Sequence, residues 1–376
     1  MIVNGAYRRS NSQRTKSLLQ DSRTFEELRS IQSGSINTSI DFGALLRLAA
    51  VCIIDFDNIT ATDMHLRAVI KAEPAEENRK ILYERELENL GLPTIASSPY
   101  IRALQDCIGH DSLEQSAGAG QQRCMVLEWM DSDLWRSRFN KMQPGSDLPR
   151  TVAKSVLEAL LVFSDLRGVH TDINPNNVFL SGLETTTPSV KVGDLGNLLG
   201  EGIDSVRLQG HAIRAPEVWK GYGCWSASDV WSLGVTVRMS FKTSQYSPLK
   251  RLYMVHWLAT KPIFGASDKI IEGMTEAWCI AKIKRLVGPL GAPVKPEYGE
   301  EFAAADFLES KPFQLSESSE PAPFITVGSI RQELEQIPDG RVTNECIDFI
   351  ASLLVIDHTK RPSAKEALNH PFITGV

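Results

Sequence analysis

The stretch that decides the fold is HTDINPNN at residues 170–177, which is followed by DLG at residues 194–196. Asp172 in the first stretch is a carboxylate that can accept the proton of a hydroxyl group. Asn177 and Asp194 supply hard oxygen atoms of the kind that bind Mg²⁺. Together these side chains predict one phosphoryl-transfer site, because such transfer depends mostly on positioning and on neutralising phosphate charge.

Further motifs follow one another in a fixed order along the chain. The sequence reads VIK at 69–71, YEREL at 83–87, MVLEWM at 125–130, RAPE at 214–217, SDVWSLG at 228–234 and KRPSAKEALNHPF at 360–372. In this order the chain resembles the protein kinase family, in register from Val69 to Phe372. Small-molecule phosphotransferases share an HxDxxxxN pattern but lack the late motifs, so the late motifs argue against that class.

The resemblance and the spacing of apolar residues predict an α+β fold of two lobes. We expect residues 37–130 to form a small β-rich lobe with one helix and the hinge. Residues 131–376 are expected to form a larger helical lobe, with an insertion at about 266–337. The first 36 residues are rich in Ser, Arg, Gln and Asn, and we expect a disordered basic tail there.

Apolar patterning predicts the individual elements. Strands are expected at 45–54, 66–71, 99–108 and 124–129, and helices at 76–90, 152–166, 227–239, 277–287 and 346–354. The segment 297–323 is acidic, contains Ser and Pro and has little periodicity, so we expect an exposed insertion there.

The resemblance implies roles in binding the phosphates and metal. Lys71 would hold the α- and β-phosphates of ATP, with Glu86 as its partner and Glu84 as the alternative. Asn177 and Asp194 would bind Mg²⁺.

The same resemblance implies how the base and ribose are bound. Leu127 would be the gatekeeper, and the backbone of Glu128 and Met130 would bind adenine. Asp133 would lie near the ribose. Phe179 would lie below the adenine, where it narrows the slot, as does Val69 above it. We therefore expect adenine to bind weakly or in a shifted pose.

Three departures from the family pattern concern the phosphates. Residues 49–54, AAVCII, stand where a glycine-rich loop is expected, and without glycines the backbone approaches phosphate less closely. Asn174 replaces the catalytic lysine two residues after Asp172 and can donate only a neutral hydrogen bond. Gly210 stands where a bridging Thr is usual.

A fourth departure concerns regulation. Thr171 replaces the arginine that pairs with an activation-segment phosphate, and Ser205 is the one hydroxyl residue between Asp194 and Glu217. We therefore expect no need for phosphorylation of this segment.

Two branches of the family are indicated. HTD at 170–172 and DLGN at 194–197 resemble SR-protein kinases. RAPE at 214–217 and the segment from Trp278 to Pro289 resemble the wider group that includes cyclin-dependent kinases. The chain as a whole resembles a divergent fungal member.

These observations lead to two functional hypotheses. The first is an active Ser/Thr kinase that uses ATP and Mg²⁺ on a protein substrate, and the second is a pseudokinase that binds nucleotide or acts as a scaffold. The acidic segment 297–320 could attract Arg/Ser-rich substrates, or it is a plain solvated insertion.

Composition narrows the partners and the setting. The net charge of −6 argues against nucleic acid. The absence of a long apolar run argues against a membrane span. Six scattered cysteines without a CxxC pair fit a reducing setting inside the cell, in the cytoplasm or the nucleus. We also expect a monomer.

Overall fold

The computed structural model describes eight stretches of the chain, and every structural statement below concerns them. They are 51–55 (backbone only), 67–109, 123–138, 146–185, 187–236, 263–314, 320–337 and 342–375. Contacts divide the chain into two compact units. The strand unit holds the described residues up to Leu92 together with Arg102–Trp129. The helical unit holds Pro93–Ile101 and the residues from Met130 onward.

The strand unit is one antiparallel sheet and one helix. The elements are β1 (Val51–Asp55), β2 (Arg67–Ala72), α1 (Glu77–Gly91), β3 (Leu104–Ile108) and β4 (Cys124–Glu128). The strands lie in the order β1-β2-β4-β3. In β4 the first four residues are all buried, which explains its continuous apolar run rather than an alternating one.

Helix α1 carries a carboxylate into the interior of the strand unit. Its buried residues are Tyr83, Glu86 and Leu90, which lie on one face at spacings of three and four. The predicted helix at 76–90 therefore lies within one residue of the observed one. The predicted tail at 1–36 and most of the expected strand at 45–54 lie outside the described residues.

The helical unit contains eleven short strands and helices that position loops, and several longer helices that form its core. The helices are α2 (Pro93–Ala96), α3 (Leu148–Asp165), α4 (Pro216–Trp219), α5 (Ser226–Thr236), α6 (Thr275–Leu286), α7 (Gly299–Ser310), α8 (Ile330–Glu335), α9 (Asn344–Leu353), α10 (Ala364–Ala367) and α11 (Pro371–Thr374). The strands are β5 (Ser132–Asp133), β6 (Gly168–Val169), β7 (Val178–Ser181), β8 (Ser189–Val192), β9 (Leu199–Gly200), β10 (Pro312–Phe313) and β11 (Ala322–Pro323).

Helix α3 lies at the centre of this unit. Its buried residues recur at helical spacing, as in Val152, Val156 and Phe163, and it packs against α5, α10 and β8. Two small sheets, β5-β7-β8 and β6-β9, border the loop at 170–177. This loop therefore leaves one sheet and enters the other, so that both of its ends are fixed.

The segment 297–323 is more regular than its composition indicated. It contains α7, and Phe302, Ala305 and Leu308 are buried along one face of that helix, which packs against α6. The expectation of an exposed insertion with little periodicity missed this helix. Three apolar residues at a spacing of three are easily hidden by the acidic residues around them.

The α+β prediction is confirmed, with a small strand-rich part followed by a larger helical part. Within the described residues, none of the helices combines the length and the apolar character needed to cross a bilayer.

Candidate active site

Lys71 and Glu86 form an ion pair inside the strand unit. Lys71 lies on β2 opposite Met125 of β4, and the Glu86 side chain is only 3% exposed. Glu84, the alternative partner, lies 3.3 Å from Arg123 instead. A carboxylate buried this deeply requires a partner, so Glu86 fixes the position of the Lys71 ammonium.

The end of β4 is tied to the residues that precede β3. The amide of Glu128 donates to the carbonyl of Ala103 at 2.9 Å, and the amide of Ala103 donates to Oε2 of Glu128 at 3.1 Å. Arg102, which is buried, donates from Nε to the carbonyl of Glu128 at 2.8 Å. Leu127, the residue before, is also buried. No sequence motif marks Arg102, although a charge between Ile101 and Ala103 is a visible signal.

In the helical unit, both carboxylate oxygens of Asp172 are held by amides. Asn174 Nδ2 donates to Oδ1 at 2.8 Å, and Asn177 Nδ2 donates to Oδ2 at 2.9 Å. Burial is the main cause that raises the pKa of Asp172 to about 6, and the negative charge of Asp194 also raises it. The hydrogen bonds from Asn174 and Asn177 stabilise the carboxylate and act in the opposite direction. Asp172 is therefore a fixed carboxylate that is mostly ionised at neutral pH.

Asn174 closes the loop on itself. It is buried, and its Oδ1 accepts from the amide of Asn176 at 2.9 Å, while its carbonyl accepts from the amide of Asn177 at 3.0 Å. From the sequence alone, the Asn174 amide is able to donate a hydrogen bond to a phosphate. The structure uses that amide on Asp172 instead, so Asn174 orients the carboxylate.

Asp229 of α5 holds the start of the loop. Its Oδ2 accepts from the amide of His170 at 2.6 Å and its Oδ1 from the amide of Thr171 at 3.0 Å. The His170 ring contacts the carbonyl of Gly193 through Nε2 at 3.1 Å and accepts from the amide of Asp172 through Nδ1 at 3.3 Å. This pattern requires the proton on Nε2, and burial lowers the pKa of His170, so the ring is neutral.

Thr171 links the loop to the DLGN segment. Its backbone φ is +62°, in the left-handed region, and its Oγ1 donates to the carbonyl of Asn197 at 2.9 Å. The side chain that replaces an arginine therefore has a neutral partner in the segment that follows Asp194. No motif indicated this bond, because it depends on the unusual backbone conformation.

Asn177 and Asp194 have the donor set that a magnesium ion requires. Because Asn177 Nδ2 donates to Asp172, its Oδ1 faces away from that carboxylate. The amide of Gly193 donates to the carbonyl of Asn177 at 3.0 Å, which brings the residue next to Asp194 onto the loop. One amide oxygen and one carboxylate are hard ligands that suit Mg²⁺, which takes few protein ligands. The residues present fit this ion.

Asp133 and Phe179 are brought together by β5 and β7, where they are register partners. Asp133 is buried, and its Oδ1 accepts from the amide of Arg136 at 2.6 Å. Its carboxylate therefore caps the turn Arg136–Arg138, in addition to any role near a ribose. Met130 is buried as well.

A family model described as the protein kinase domain matches residues 68–373, which is most of the chain. The chain belongs to the protein kinase family. Its relatives are kinases of the group that includes cyclin-dependent kinases, as the sequence predicted.

Three relatives show how low the sequence identity to named kinases is. The chain is 25% identical over 264 residues to homeodomain-interacting protein kinase 2 of Mus musculus, and the match covers 67% of this chain and 21% of that protein. It is 25% identical over 273 residues to the dual specificity protein kinase YAK1 homolog of Arabidopsis thaliana, covering 67% and 28%. It is 24% identical over 341 residues to serine/threonine-protein kinase SSN3 of Coccidioides immitis, covering 82% and 65%. The chain thus spans less than a third of the first two of these relatives.

The activation segment of this kinase, between Asp194 and Glu217, is held by arginines. Arg207 forms an ion pair with Glu301 of α7, and its guanidinium lies 3.4 Å from the ring centroid of Tyr298. Arg214 donates to the carbonyl of Gln209 and lies 4.3 Å from the ring centroid of Trp219. Such contacts restrain the segment through the insertion.

Gln209 is a second residue that the sequence analysis missed. Its backbone φ is +65°, its Nε2 donates to Ser232 Oγ at 2.8 Å, and its Oε1 accepts from the amide of Ala215 at 2.9 Å. Because Gln209 precedes Gly210, these bonds hold the segment where a bridging Thr is usual.

Glu217 and Arg361 form a bidentate ion pair between the RAPE motif and the last motif. The two bonds measure 2.8 and 2.9 Å, and the two side chains are at most 2% exposed. Burial alone would raise the pKa of Glu217, but Arg361 and Ser228 Oγ hold it below its ordinary value. Both side chains are too enclosed to reach a substrate, so this ion pair is structural.

Proposed function

We propose that this kinase transfers the γ-phosphate of ATP to Ser or Thr hydroxyls of a protein substrate. The observation that supports the proposal most is the fixed carboxylate of Asp172, which is held by Asn174 and Asn177 and mostly ionised at neutral pH. In this role Asp172 orients the acceptor hydroxyl and takes its proton.

The remaining parts serve the nucleotide. Lys71, fixed by Glu86, binds the α- and β-phosphates, and Asn177 and Asp194 would hold Mg²⁺. When bound, Mg²⁺ neutralises the charge of the phosphates. Asn174 acts through Asp172 rather than on the phosphate.

The base and the ribose have their own set of residues. Leu127 lines the base site, the backbone of Glu128 and Met130 contacts the base, Phe179 lies against it and Asp133 lies near the ribose. Burial of Leu127 and Met130, and the pairing of Asp133 with Phe179 in one small sheet, support these roles.

Incubation with labelled Mg-ATP and a library of Ser/Thr peptides tests the activity. We expect transfer, and we expect Asp172→Asn to lower its rate by about 10²–10⁴-fold, the usual contribution of a general base. The variant should still bind Mg-ATP in a thermal-shift assay, which separates lost chemistry from lost folding. Equal transfer by both proteins would contradict the assignment of Asp172.

A pseudokinase is the second candidate, and two observations favour it. The amide of Asn174 is engaged by Asp172, and the carbonyl of Glu128 is engaged by Arg102. A thermal shift with Mg-ATP that is unaccompanied by any transfer would decide for this second candidate.

The structure of α7 bears on whether the acidic segment 297–320 attracts Arg/Ser-rich substrates. Three of its acidic residues already have basic partners, namely Glu301 with Arg207, Asp306 with Lys284 and Glu309 with Arg285. This pairing favours a solvated insertion over a surface for Arg/Ser-rich substrates. A screen of Arg/Ser-repeat peptides beside acidic peptides tests the choice. The proposal places the kinase inside the cell, in the cytoplasm or nucleus, as a monomer.

A further inference from the structure

The backbone carbonyl at the end of β4 already accepts a hydrogen bond. The carbonyl of Glu128 receives a hydrogen bond from Nε of the buried Arg102 at 2.8 Å. A guanidinium is charged, and hydrogen bonds from charged donors are roughly twice as strong as neutral ones. A neutral donor that approaches this carbonyl must therefore share it with a stronger one.

The strand unit holds Arg102 in this place. Leu104 pairs with Leu127, and the register shifts by a bulge between Leu104 and Asp106. The reciprocal bonds of Ala103 with Glu128 fix the residue next to Arg102. These bonds hold the backbone of residue 102 beside the carbonyl, and the burial of the Arg102 side chain keeps its guanidinium there.

The two purines differ at the atom that matters here. Adenine carries an amino group at C6, which is a donor, whereas guanine carries a keto oxygen, which is an acceptor. If Glu128 contacts the base, the adenine amino group meets a carbonyl that is already bonded and a second donor beside it. The guanine oxygen is not a donor, so guanine loses no hydrogen bond when this carbonyl is already occupied.

We propose that Arg102 is a specificity-determining residue that weakens the preference of this kinase for adenine over guanine nucleotides. The proposal rests on the proposed function, specifically on the contact of Glu128 with the base. It uses the occupied carbonyl and does not depend on what the other nitrogens of Arg102 contact. Mg-GTP then competes with Mg-ATP for the same site.

Calorimetric titration with Mg-ATP, Mg-GTP and the Mg complex of purine riboside triphosphate, which lacks a C6 substituent, tests the proposal on the unaltered chain. We expect Kd values for ATP and GTP within about fivefold of each other, the size of one neutral hydrogen bond. Purine riboside triphosphate should bind at least as well as ATP, because the amino group adds no affinity. An ATP affinity more than fivefold above both others overturns the proposal.

Arg102→Leu supplies the second measurement. Removing the guanidinium frees the carbonyl, so we expect the ratio of ATP to GTP affinity to rise by about fivefold or more. Arg79→Leu is the matched control, because Arg79 is an arginine of the same unit whose ion pair is with Glu76, the N-cap residue of α1. A ratio that responds equally to both variants overturns the proposal.

The two failures are distinguishable. If ATP binds but the ratio ignores Arg102, this inference falls and the proposed function stands. If none of the three nucleotides binds to the unaltered chain, the proposed function falls, and this inference falls with it.

Discussion

The catalytic loop at 170–177 and the activation segment lie in one unit, but different chemistry holds them. The loop is fixed by neutral donors, namely two backbone amides, two side-chain amides and one hydroxyl. The segment and its end are fixed by Arg207, Arg214 and Arg361. The comparison shows that the segment carries its own arginines, Arg207 and Arg214, whereas residue 171 of the loop, where a phosphate-binding arginine is usual, is a neutral threonine.

The same difference supports the expectation that the segment needs no added charge. A phosphate orders such a segment by pairing with arginine. Here Arg207 already pairs with Glu301, a carboxylate of the insertion, and stacks on Tyr298. The segment therefore has, without a phosphate, the kind of arginine–anion contact that phosphorylation supplies in other kinases. The following predictions test the comparison between the loop and the segment.

The largest effect is expected at the end of the segment. Arg361→Met leaves Glu217 as a buried unpaired carboxylate, so we expect the free energy of unfolding to fall by about 3–5 kcal/mol. Urea denaturation measures this change. Lys360→Met is the control, because Lys360 is next to Arg361 in the sequence but its side chain is 78% exposed and its partner Asp357 is also at the surface. Equal midpoints for the two variants would show that the ion pair does not hold the segment.

The next effect is expected in the loop. Thr171→Val removes the hydroxyl from the carbonyl of Asn197 and keeps the shape of the side chain. An unsatisfied buried acceptor costs about 1–3 kcal/mol, so we expect kcat to fall about tenfold with KM for Mg-ATP unchanged. Thr171→Ser keeps the bond and should restore most of kcat. A loss in Thr171→Ser as large as in Thr171→Val would count against the hydrogen bond.

A smaller effect is expected at Asn174, and it is read from the pH profile. Because the proposed role of Asp172 requires the ionised carboxylate, the rate should rise as the pH passes its folded pKa of about 6. Asn174→Lys places a cation beside Asp172 and lowers that pKa, so the acidic limb should move below pH 6. At pH 7 a carboxyl of pKa 6 is already about 90% ionised, so ionisation alone changes the rate little there. An unmoved limb would show that residue 174 does not control Asp172.

The smallest effect is expected at Ser205, which is exposed. Since Arg207 already has a carboxylate partner, Ser205→Ala should change activity by less than about twofold, as surface substitutions usually do. Arg207→Gln, which breaks the pair with Glu301, should lower activity more. Loss of most activity in Ser205→Ala alone would contradict a segment that is ordered without phosphate.

Much of this arrangement could be predicted from motifs and their order. Lys71, Glu86, Asp172 and the pair of Glu217 with Arg361 each follow from a short pattern whose chemistry is local. The α+β division follows from the change of apolar periodicity after Met130.

What could not be predicted depends on register and on distant partners. Arg102 reaches Glu128 only because β3 and β4 pair with a bulge. Arg207 meets Glu301 across 94 positions of sequence, on a helix whose apolar face is masked by acidic residues. The side chain of Asn174 could point to phosphate or to Asp172, and only the folded loop decides.

The left-handed backbone at Thr171 sets strain in the loop against the hydrogen bond to Asn197. A β-branched residue rarely adopts a φ of +62°, and such strain costs of the order of 1–3 kcal/mol. Thr171→Gly would relax the backbone but would leave the carbonyl of Asn197 without the hydroxyl that donates to it, at a cost of about 1–3 kcal/mol. Because the two effects are of similar size and opposite sign, glycine at this position brings no clear gain in the free energy of unfolding, and it removes the bond that joins the loop to the DLGN segment.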